Sequence, residues 1–320
     1  MVGPDEIAAA VAALRAGEVI GLPTETVYGL AGDASNPMAV ARIFAIKGRP
    51  SSHPVIVHLP DAGHVARWAR ETPPAATALM RRFWPGPLTI VLPRAPSVPD
   101  AVTGGQDTVA VRVPAHPVAL QVLHAFGGGL AAPSANRYGR ISPTTAAHVR
   151  ADLGDELRIV LDGGPSDVGL ESTIVACLGP QIAILRPGRI GADEIEAVVG
   201  PVTSALRETP RVPGSVASHY APRTALEIVD AASLADAVAA HTKAGRRVVV
   251  LAPGDDREGL PVAVWRRADD DAEGYGRTLY DDLRRLDDEG ADIIVVVRPP
   301  DGPEWIAIHD RLGRAATQRR

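Results

Sequence analysis

A break in the residue pattern between positions 201 and 222 constrains the fold of this chain most strongly. Apolar periodicity fades there while turn-forming residues accumulate, at Pro201, Pro210, Pro213, Gly214 and Pro222. Clusters of proline and glycine mark connections between regular elements. A chain of 320 residues is long enough for two domains, each with its own core. We therefore expect one domain at 1–200, a linker at 201–222 and a second domain at 223–320.

The N-terminal half mixes strand and helix patterns without strict alternation. Strands are predicted at 18–22, 54–59, 88–93, 108–113, 130–132, 159–162, 172–177 and 182–186. Helices are predicted at 7–15, 38–46, 61–70, 74–83, 117–126, 144–153 and 191–199. The last strands follow one another with no helix between them, which favours antiparallel pairs. The pattern predicts an α/β fold with a twisted mixed sheet and flanking helices.

The C-terminal half alternates more regularly. Strands are predicted at 225–229, 247–251, 262–265 and 292–297, and helices at 233–243, 272–289 and 303–313. Alternation of this kind indicates a smaller, Rossmann-like α/β domain with a parallel sheet. No G-x-G-x-x-G follows its first strand, so we expect no dinucleotide site there.

Composition excludes several classes of protein. The single cysteine, Cys177, excludes an internal disulfide framework and a thiolate metal site, and it favours a reducing, cytoplasmic location. No leader pattern and no bilayer-length apolar run occur, so we expect no membrane association. The nine histidines form no H-E-x-x-H or other close pair, so no metal site built from protein ligands is expected. The absence of G-x-S-x-G argues against an α/β-hydrolase.

Basic residues are concentrated in two stretches that contain no acid. The net charge is -5, yet the charged residues of 34–60 and 108–151 are all basic. Such stretches indicate a local anion site. Only two of the 33 lysine and arginine residues are lysines, Lys47 and Lys243. A lysine retained in Lys47-Gly-Arg-Pro-Ser-Ser52 favours a phosphate contact over a solvated helix end.

Further segments offer polar groups that suit either chemistry or ordinary turns. Pro23-Thr-Glu-Thr-Val-Tyr-Gly-Leu30 places two hydroxyls around a glutamate after a strand, where a capped turn fits equally well. The loop at 131–142 gathers hydroxyls, an amide and two arginines, but it is not a Walker loop. Glu171-Ser-Thr-Ile174 and Arg186-Pro-Gly-Arg189 lie at strand ends, where open sheets place their sites. His58 alone is more typical of an ordinary strand residue.

Together these motifs resemble the threonylcarbamoyl-AMP synthases in their long form, which has a YrdC-like domain and an added C-terminal domain. The resemblance spans residues 18–222. Its motifs are Pro23-Thr-Glu-Thr-Val-Tyr-Gly-Leu30, Lys47-Gly-Arg49, Trp84-Pro-Gly-Pro-Leu-Thr89, Val109-Ala-Val-Arg-Val-Pro114, Ala132-Pro-Ser-Ala-Asn136, Glu171-Ser-Thr-Ile174, Leu185-Arg-Pro-Gly188 and His219-Tyr-Ala-Pro222. The last motif points to the long form.

The resemblance implies two sets of site residues. It implies an L-threonine pocket, with Arg112 facing the carboxylate, formed by Thr24, His58, Arg112, Ala132 and Ser172. It implies nucleotide contacts from Lys47, Ser51, Thr108, Ser134, Ser142, Arg186 and Tyr220. Its Lys-x-Arg and Ser-x-Asn pairs make the expected catalytic residues Lys47, Arg49, Ser134 and Asn136.

The resemblance also implies the reaction. A nucleotidyltransferase of this family makes L-threonylcarbamoyladenylate and pyrophosphate from L-threonine, bicarbonate or CO₂, and ATP, for N6-threonylcarbamoyladenosine modification of tRNA. We expect Mg²⁺ with ATP, a tRNA threonylcarbamoyl transferase complex that takes the product, and weak tRNA binding. Positioning and neutralisation of phosphate charge would supply most of the catalysis. As a hypothesis, the linker closes over the site through Tyr220, although residues 214–218 lack the basic side chains that often precede this motif.

Two alternatives remain open from the sequence. A non-catalytic module for double-stranded RNA or tRNA would use the same arginine-rich loops, although the net charge and the scarcity of aromatic residues weigh against it. A carbamoyl transferase of the hydrogenase-maturation type contains a similar domain. It would, however, require cysteine-rich zinc motifs and an acylphosphatase segment, and the chain has neither.

Overall fold

The computed structural model describes residues 2–204, 209–214, 220–254 and 259–317. The chain forms two compact units, of which the first comprises residues 1–138 and 143–215 and the second comprises 139–142 and 216–320. A four-residue segment from the middle of the chain therefore belongs to the second unit. The expected domain boundaries at 200 and 223 stay a prediction. Within the described ranges, no helix is long and apolar enough to cross a membrane.

A mixed sheet of nine strands, counted over the described residues, is the centre of the first unit. The strands are β1 (Ile20–Leu22), β2 (Gly29–Asp33), β3 (Ile56–His58), β4 (Leu88–Pro93), β5 (Thr108–Arg112), β6 (Leu130–Ala131), β7 (Thr173–Cys177), β8 (Ile182–Arg186) and β9 (Val202–Thr203). Their order is β1-β2-β6-β3-β5-β4-β7-β8-β9. Parallel pairs, such as β3–β5 and β4–β7, are interspersed with antiparallel ones. The expected mixed sheet is confirmed.

Seven α-helices accompany this sheet in the described part of the first unit. They are α1 (Pro4–Arg15), α2 (Pro37–Lys47), α3 (Pro74–Phe83), α4 (Asp100–Thr103), α5 (Pro117–Phe126), α6 (Ala146–Leu153) and α7 (Ala192–Val199). Helix α2 begins after Asn36, whose side chain accepts from two backbone amides of the first turn. It ends at Gly48, whose φ of 62° is favourable for glycine. Lys47 is thereby fixed in the last turn.

The sheet core determines where polar groups can appear. Strand β4 is buried along its whole length, and the apolar residues of β3 and β5 are buried as well. Runs of this kind are typical of strands covered on both faces. The polar residues His58 and Arg112 follow such runs at the last position of β3 and of β5. The sequence therefore places both side chains at strand ends.

The second unit contains a four-stranded parallel sheet. Its strands are β10 (Ala225–Val229), β11 (Val248–Pro253), β12 (Val264–Ala268) and β13 (Ile293–Val297), in the order β10-β13-β11-β12. All three pairings are parallel. The helices are α8 (Leu234–Lys243), α9 (Ala272–Asp287) and α10 (Ile306–Ala316). The expected parallel α/β arrangement is confirmed.

The structure corrects several element predictions. The strand predicted at 159–162 is wrong, because that segment makes only an isolated bridge between Val160 and Gly21. Val160 packs so closely over Gly21 that an added Cβ would lie 2.9 Å from its Cγ1 atom. Strand β2 and helix α4 were not foreseen, since β2 contains two glycines and α4 has four residues. The helix predicted at 61–70 is a shorter 3₁₀ helix, Ala62–Arg67.

Candidate active site

The predicted threonine residues His58 and Arg112 are neighbours in the sheet. The parallel register of β3 and β5 pairs His58 directly with Arg112. The amide of Ala132, which follows β6, donates to the Ile56 oxygen of β3 at 3.1 Å. His58, Arg112 and Ala132 are all buried. Three of the five predicted threonine contacts are thus brought together by neighbouring strands.

The fourth predicted contact, Thr24, reaches Arg112 through Thr26. Arg112 Nη1 donates to Thr26 Oγ1 at 2.9 Å, and the hydroxyls of Thr26 and Thr24 are also 2.9 Å apart. Thr24 donates its own hydroxyl to the Val27 oxygen at 2.6 Å. Thr26 must therefore be the donor to Thr24, because each hydroxyl has one proton. This chain of hydrogen bonds has one direction, from the guanidinium to the Val27 backbone.

Glu25 supplies a buried counter-charge to Arg112. Its Oε1 lies 2.6 Å from Arg112 Nη2, and the two side chains are 8% and 3% exposed. Arg112 Nε donates to the Gly86 oxygen at 3.1 Å. The sequence reasoning noted Glu25 between two threonines but gave it and Thr26 no role. The sequence did contain a signal, because a glutamate between two threonines directly after a buried strand indicates a buried polar contact.

Burial keeps the His58 imidazole neutral. Desolvation, with a smaller contribution from the positive charge of Arg112, lowers the pKa of His58 to about 3. Its Nδ1 atom is buried and has no hydrogen-bond partner among the described residues. A neutral ring beside a guanidinium is suited to accept or donate one hydrogen bond to a small polar ligand.

Ser172, the fifth predicted threonine contact, is joined to a predicted nucleotide contact. Its hydroxyl lies 2.8 Å from that of Thr89, a residue that the sequence reasoning assigned to a motif but to no role. Arg186 Nη2 and Nε donate to the Ser172 oxygen at 2.8 and 3.2 Å. Arg186 Nη1 donates to the Pro213 oxygen at 3.0 Å. Ser172 and Arg186 therefore form one buried, hydrogen-bonded pair.

Lys47 is bound to the loop that carries two predicted catalytic residues. Its Nζ donates to the backbone oxygens of Ser134 at 2.5 Å and Asn136 at 2.7 Å. The side chain is buried, and desolvation together with the nearby charge of Arg49 holds the pKa of Lys47 well below its usual value. The Tyr138 amide donates to the Lys47 oxygen at 2.8 Å. The end of α2 and the loop after β6 are thus joined both by the Lys47 side chain and by a backbone hydrogen bond.

The remaining residues of the Lys-x-Arg and Ser-x-Asn pairs surround this contact. Arg49 is buried, donates to the Pro54 oxygen at 2.7 Å and lies 5.9 Å from the centre of the Tyr138 ring. Asn136 is 1% exposed and donates to the Arg137 oxygen at 2.8 Å. Ser51, two residues after Arg49, is exposed. Lys47, Arg49, Ser134 and Asn136 therefore form one cluster.

The remaining predicted nucleotide contacts are Thr108, Ser142 and Tyr220. Thr108 lines a cavity of about 700 Å³ together with Gln106, Gln181 and Thr209. Ser142 and Tyr220 belong to the second unit and are 0% and 1% exposed. The Tyr220 ring packs within that unit, and His219 of the same motif lies outside the described residues. No group of three or more histidine, cysteine, aspartate or glutamate residues that could hold a metal occurs in the ranges described.

Family comparisons cover both units. The Sua5/YciO/YrdC family, described as "Telomere recombination", matches residues 12–188, and the family "Threonylcarbamoyl-AMP synthase, C-terminal domain" matches residues 190–317. A threonylcarbamoyl-AMP synthase of Bacillus subtilis is 41% identical over 327 residues, covering 98% of this chain and 94% of the relative. One of Pyrococcus abyssi is 36% identical over 320 residues, covering 96% and 92%.

Two solved structures superpose on this chain. The crystal structure of P. abyssi Sua5 complexed with L-threonine superposes with a TM-score of 0.93 at 35% identity, over 99% of this chain and 95% of that chain. Full-length HypF in its phosphate- and nucleotide-bound form superposes with a TM-score of 0.51 at 18% identity, over 57% of this chain and 28% of that one. The second similarity is one of fold alone.

Proposed function

Because this chain belongs to the threonylcarbamoyl-AMP synthase family over nearly its whole length, we propose that it joins L-threonine, bicarbonate or CO₂, and ATP into threonylcarbamoyl-AMP and pyrophosphate. The observation that carries this proposal is the buried guanidinium of Arg112 at the end of β5. A buried cation needs compensating partners, and Arg112 has them in Glu25 and Thr26.

The hydrogen-bonding capacity of Arg112 fits an amino-acid carboxylate. A guanidinium carries five N–H groups. Nε donates to Gly86 and Nη1 to Thr26, while Nη2 is ion-paired with Glu25 but has no hydrogen-bond partner among the described residues. One N–H of Nη1 and one of Nη2 are therefore available to a ligand. Such a pair matches the two oxygens of a carboxylate and gives a bidentate contact. Thr24, His58, Ala132 and Ser172 are then the proposed contacts to the rest of L-threonine.

The proposed reaction needs little covalent chemistry from the protein. The threonine amine attacks the carbon of CO₂ and loses a proton, giving a carbamate. A carbamate oxygen then attacks the α-phosphorus of ATP, and the bond to pyrophosphate breaks. Holding the carbamate against the phosphate contributes through proximity, and fixed positive groups stabilise the charge that develops on phosphate oxygens.

The Lys47 cluster supports a role in this charge stabilisation. An ammonium group has three N–H donors, and Ser134 and Asn136 engage two. The third is the proposed phosphate contact. Arg49, Ser51, Ser134, Asn136 and Arg186 supply further donors, and we propose Thr108, Ser142 and Tyr220 as the other nucleotide contacts on the strength of the family motifs.

Magnesium is proposed to arrive with ATP and to be held mainly by phosphate oxygens. The described residues do not fit a protein-built metal cage, since no cluster of three or more suitable side chains occurs among them. Bound there, the ion would neutralise charge on the pyrophosphate side. No step of the proposal depends on protein ligands to it.

The product is proposed to serve tRNA modification. A transferase complex for tRNA threonylcarbamoylation is the expected acceptor, and weak tRNA binding and a cytoplasmic location stay predictions. A purely RNA-binding module is not favoured, because relatives that match over nearly the full length are synthases. Full-length HypF shares only the fold with this chain.

Carbon tracing tests the proposal directly. The protein is incubated with ATP, L-threonine and ¹³C-bicarbonate, and adenylates are identified by mass spectrometry. We expect one adenylate that contains both threonine and a single ¹³C. An adenylate without ¹³C, or no adenylate from folded protein, would contradict the proposed function.

A further inference from the structure

The second unit contains a pairing between two distant stretches of backbone. Residues 139–142 lie against the linker residues 220–222, with a parallel bridge between Arg140 and Ala221. The Ala221 amide donates to the Gly139 oxygen at 3.0 Å. Arg140 Nη1 donates to the Pro222 oxygen at 3.2 Å. The two stretches carry Ser142 and Tyr220, both proposed as nucleotide contacts.

Helix α9 holds the first stretch through one arginine. Arg284 Nη2 donates to the Ile141 oxygen at 2.5 Å. Ile141 is 3% exposed and directly precedes Ser142, which is fully buried. Fixing the carbonyl of one residue fixes the peptide plane that leads into the next. Arg284 therefore constrains the backbone on the N-terminal side of Ser142.

The same face of α9 holds the second stretch. Tyr280 lies one helical turn before Arg284, so both side chains are on one face. The Tyr220 ring stacks on Tyr280 with centroids 5.8 Å apart and an interplanar angle of 28°. The guanidinium carbon of Arg311, a residue of α10, lies 5.1 Å from the centre of the Tyr220 ring. Arg311 is itself buried and paired with Asp310 at 2.6 Å.

The backbone of Tyr220 has an unfavourable conformation that requires support from neighbouring side chains. Its φ is 61°, the left-handed region that a bulky non-glycine residue rarely occupies. A conformation of this kind persists where surrounding packing determines it. Stacking on Tyr280 and the cation of Arg311 supply that packing.

We propose that Arg284, with Tyr280 on the same face, is a positioning residue for nucleotide binding, and that this is a task of the C-terminal unit. Arg284 acts through the Ile141 backbone on Ser142, and Tyr280 acts through the ring of Tyr220. Neither residue has to touch the nucleotide. The proposal rests on the proposed function insofar as Ser142 and Tyr220 are taken as ATP contacts.

Arg285 provides a matched control for Arg284. It is the next residue of α9, is 64% exposed and pairs with Asp281 at 2.7 Å. Binding of a non-hydrolysable ATP analogue and of L-threonine is measured by calorimetry on the full chain. Arg284→Ala is expected to weaken analogue binding about tenfold, the size of one charge-assisted hydrogen bond, while threonine binding stays within twofold. Arg285→Ala should change neither.

A conservative variant keeps the test decisive. Arg284→Lys keeps a donor and should bind the analogue with intermediate affinity, and it serves in place of the alanine variant if that variant does not fold. Unchanged analogue affinity in both variants would overturn the proposal, as would an equal loss of analogue and threonine affinity. Because binding is measured without turnover, a wild-type protein that makes no threonylcarbamoyl-AMP would refute the proposed function separately.

Discussion

The Lys47 ammonium group lies 2.7 Å from the backbone oxygen of Asn136. This contact joins the end of α2 to the loop after β6, and it gives Lys47 two tasks. One is to hold the Ser134–Asn136 segment through backbone oxygens, and the other is the proposed phosphate contact. Arginine is the common cation of this chain, but its planar fork is longer and does not reproduce the compact donor geometry of an ammonium group.

Replacing Lys47 should therefore impair both stability and catalysis. Lys47→Ala leaves the buried Asn136 carbonyl and the partly buried Ser134 carbonyl without their donor, which is expected to lower the free energy of unfolding by about 3 kcal/mol. The measurement is denaturant unfolding together with pyrophosphate release. Lys243 is the other lysine and is exposed on α8, so Lys243→Ala should alter neither quantity. Equal behaviour of the two variants would refute the structural role of Lys47.

Thr26 is expected to determine threonine affinity through Arg112. Thr26→Val keeps the shape but removes the hydroxyl between Arg112 and Thr24. We expect the KM for L-threonine to rise about tenfold while the KM for ATP stays the same. Thr103→Val is the control, since Thr103 is also buried and accepts from an arginine, Arg94, at 3.1 Å. A threonine KM that rises equally in both variants would count against the role of Thr26.

His58 should make the protein less stable in acid. Its pKa is about 3 in the folded state against 6.5 for a free histidine side chain, so below pH 6.5 the unfolded chain binds a proton that the folded chain excludes. The stability is fully present above pH 6.5 and is lost as the pH falls toward 3, by about 1.4 kcal/mol per pH unit. Unfolding of wild type and His58→Gln between pH 4 and 7 measures this slope. His58→Gln should lose the pH dependence that His58 contributes to the free energy of unfolding. The exposed control His124→Gln should keep it. Identical slopes in His58→Gln and wild type would contradict the lowered pKa of His58.

Arg186 should couple the two substrate sites. It donates twice to the Ser172 oxygen and once to the Pro213 oxygen, and a lysine can replace only part of this geometry. Arg186→Lys is expected to raise the KM for both L-threonine and ATP several-fold. Steady-state kinetics with each substrate varied in turn measures this. Arg189→Lys, at an exposed position of the same motif, is the comparison. A change in one KM alone would show that Ser172 and Arg186 do not act together.

Local patterns were sufficient for most of the secondary structure. The segments 74–83, 88–93 and 117–126 were predicted with the bounds that the structure has, because proline begins two of them and apolar periodicity is strong in all three. Strand β2 was not predicted because Gly29 and Gly32 are typical of a turn, although the strand is buried. The close approach of Ala132 to Gly29 is a contact across the sheet, which no local window contains.

Sequence motifs proposed the members of the candidate site but not the contacts between them. The motifs identified Lys47, Ser134 and Asn136. They did not predict that the lysine binds the backbone oxygens of the other two residues. The adjacency of His58 and Arg112 depends on a parallel register between strands that are distant in sequence. Glu25 had no assigned role because its partner, Arg112, lies 87 positions further along the chain. Long-range register and pairing are set by the whole core, which explains why single motifs did not contain them.

The proposed function of this protein is the activation of threonine as a carbamate on AMP. Its most direct test is pyrophosphate release from ATP, measured with both L-threonine and bicarbonate, with each omitted in turn, and with Lys47→Ala beside Lys243→Ala. We expect release only when both co-substrates are present, and we expect it to be lost in Lys47→Ala and kept in Lys243→Ala. Release that is indifferent to threonine, or none from a well-folded wild-type protein, would contradict it and make the RNA-binding alternative the better explanation.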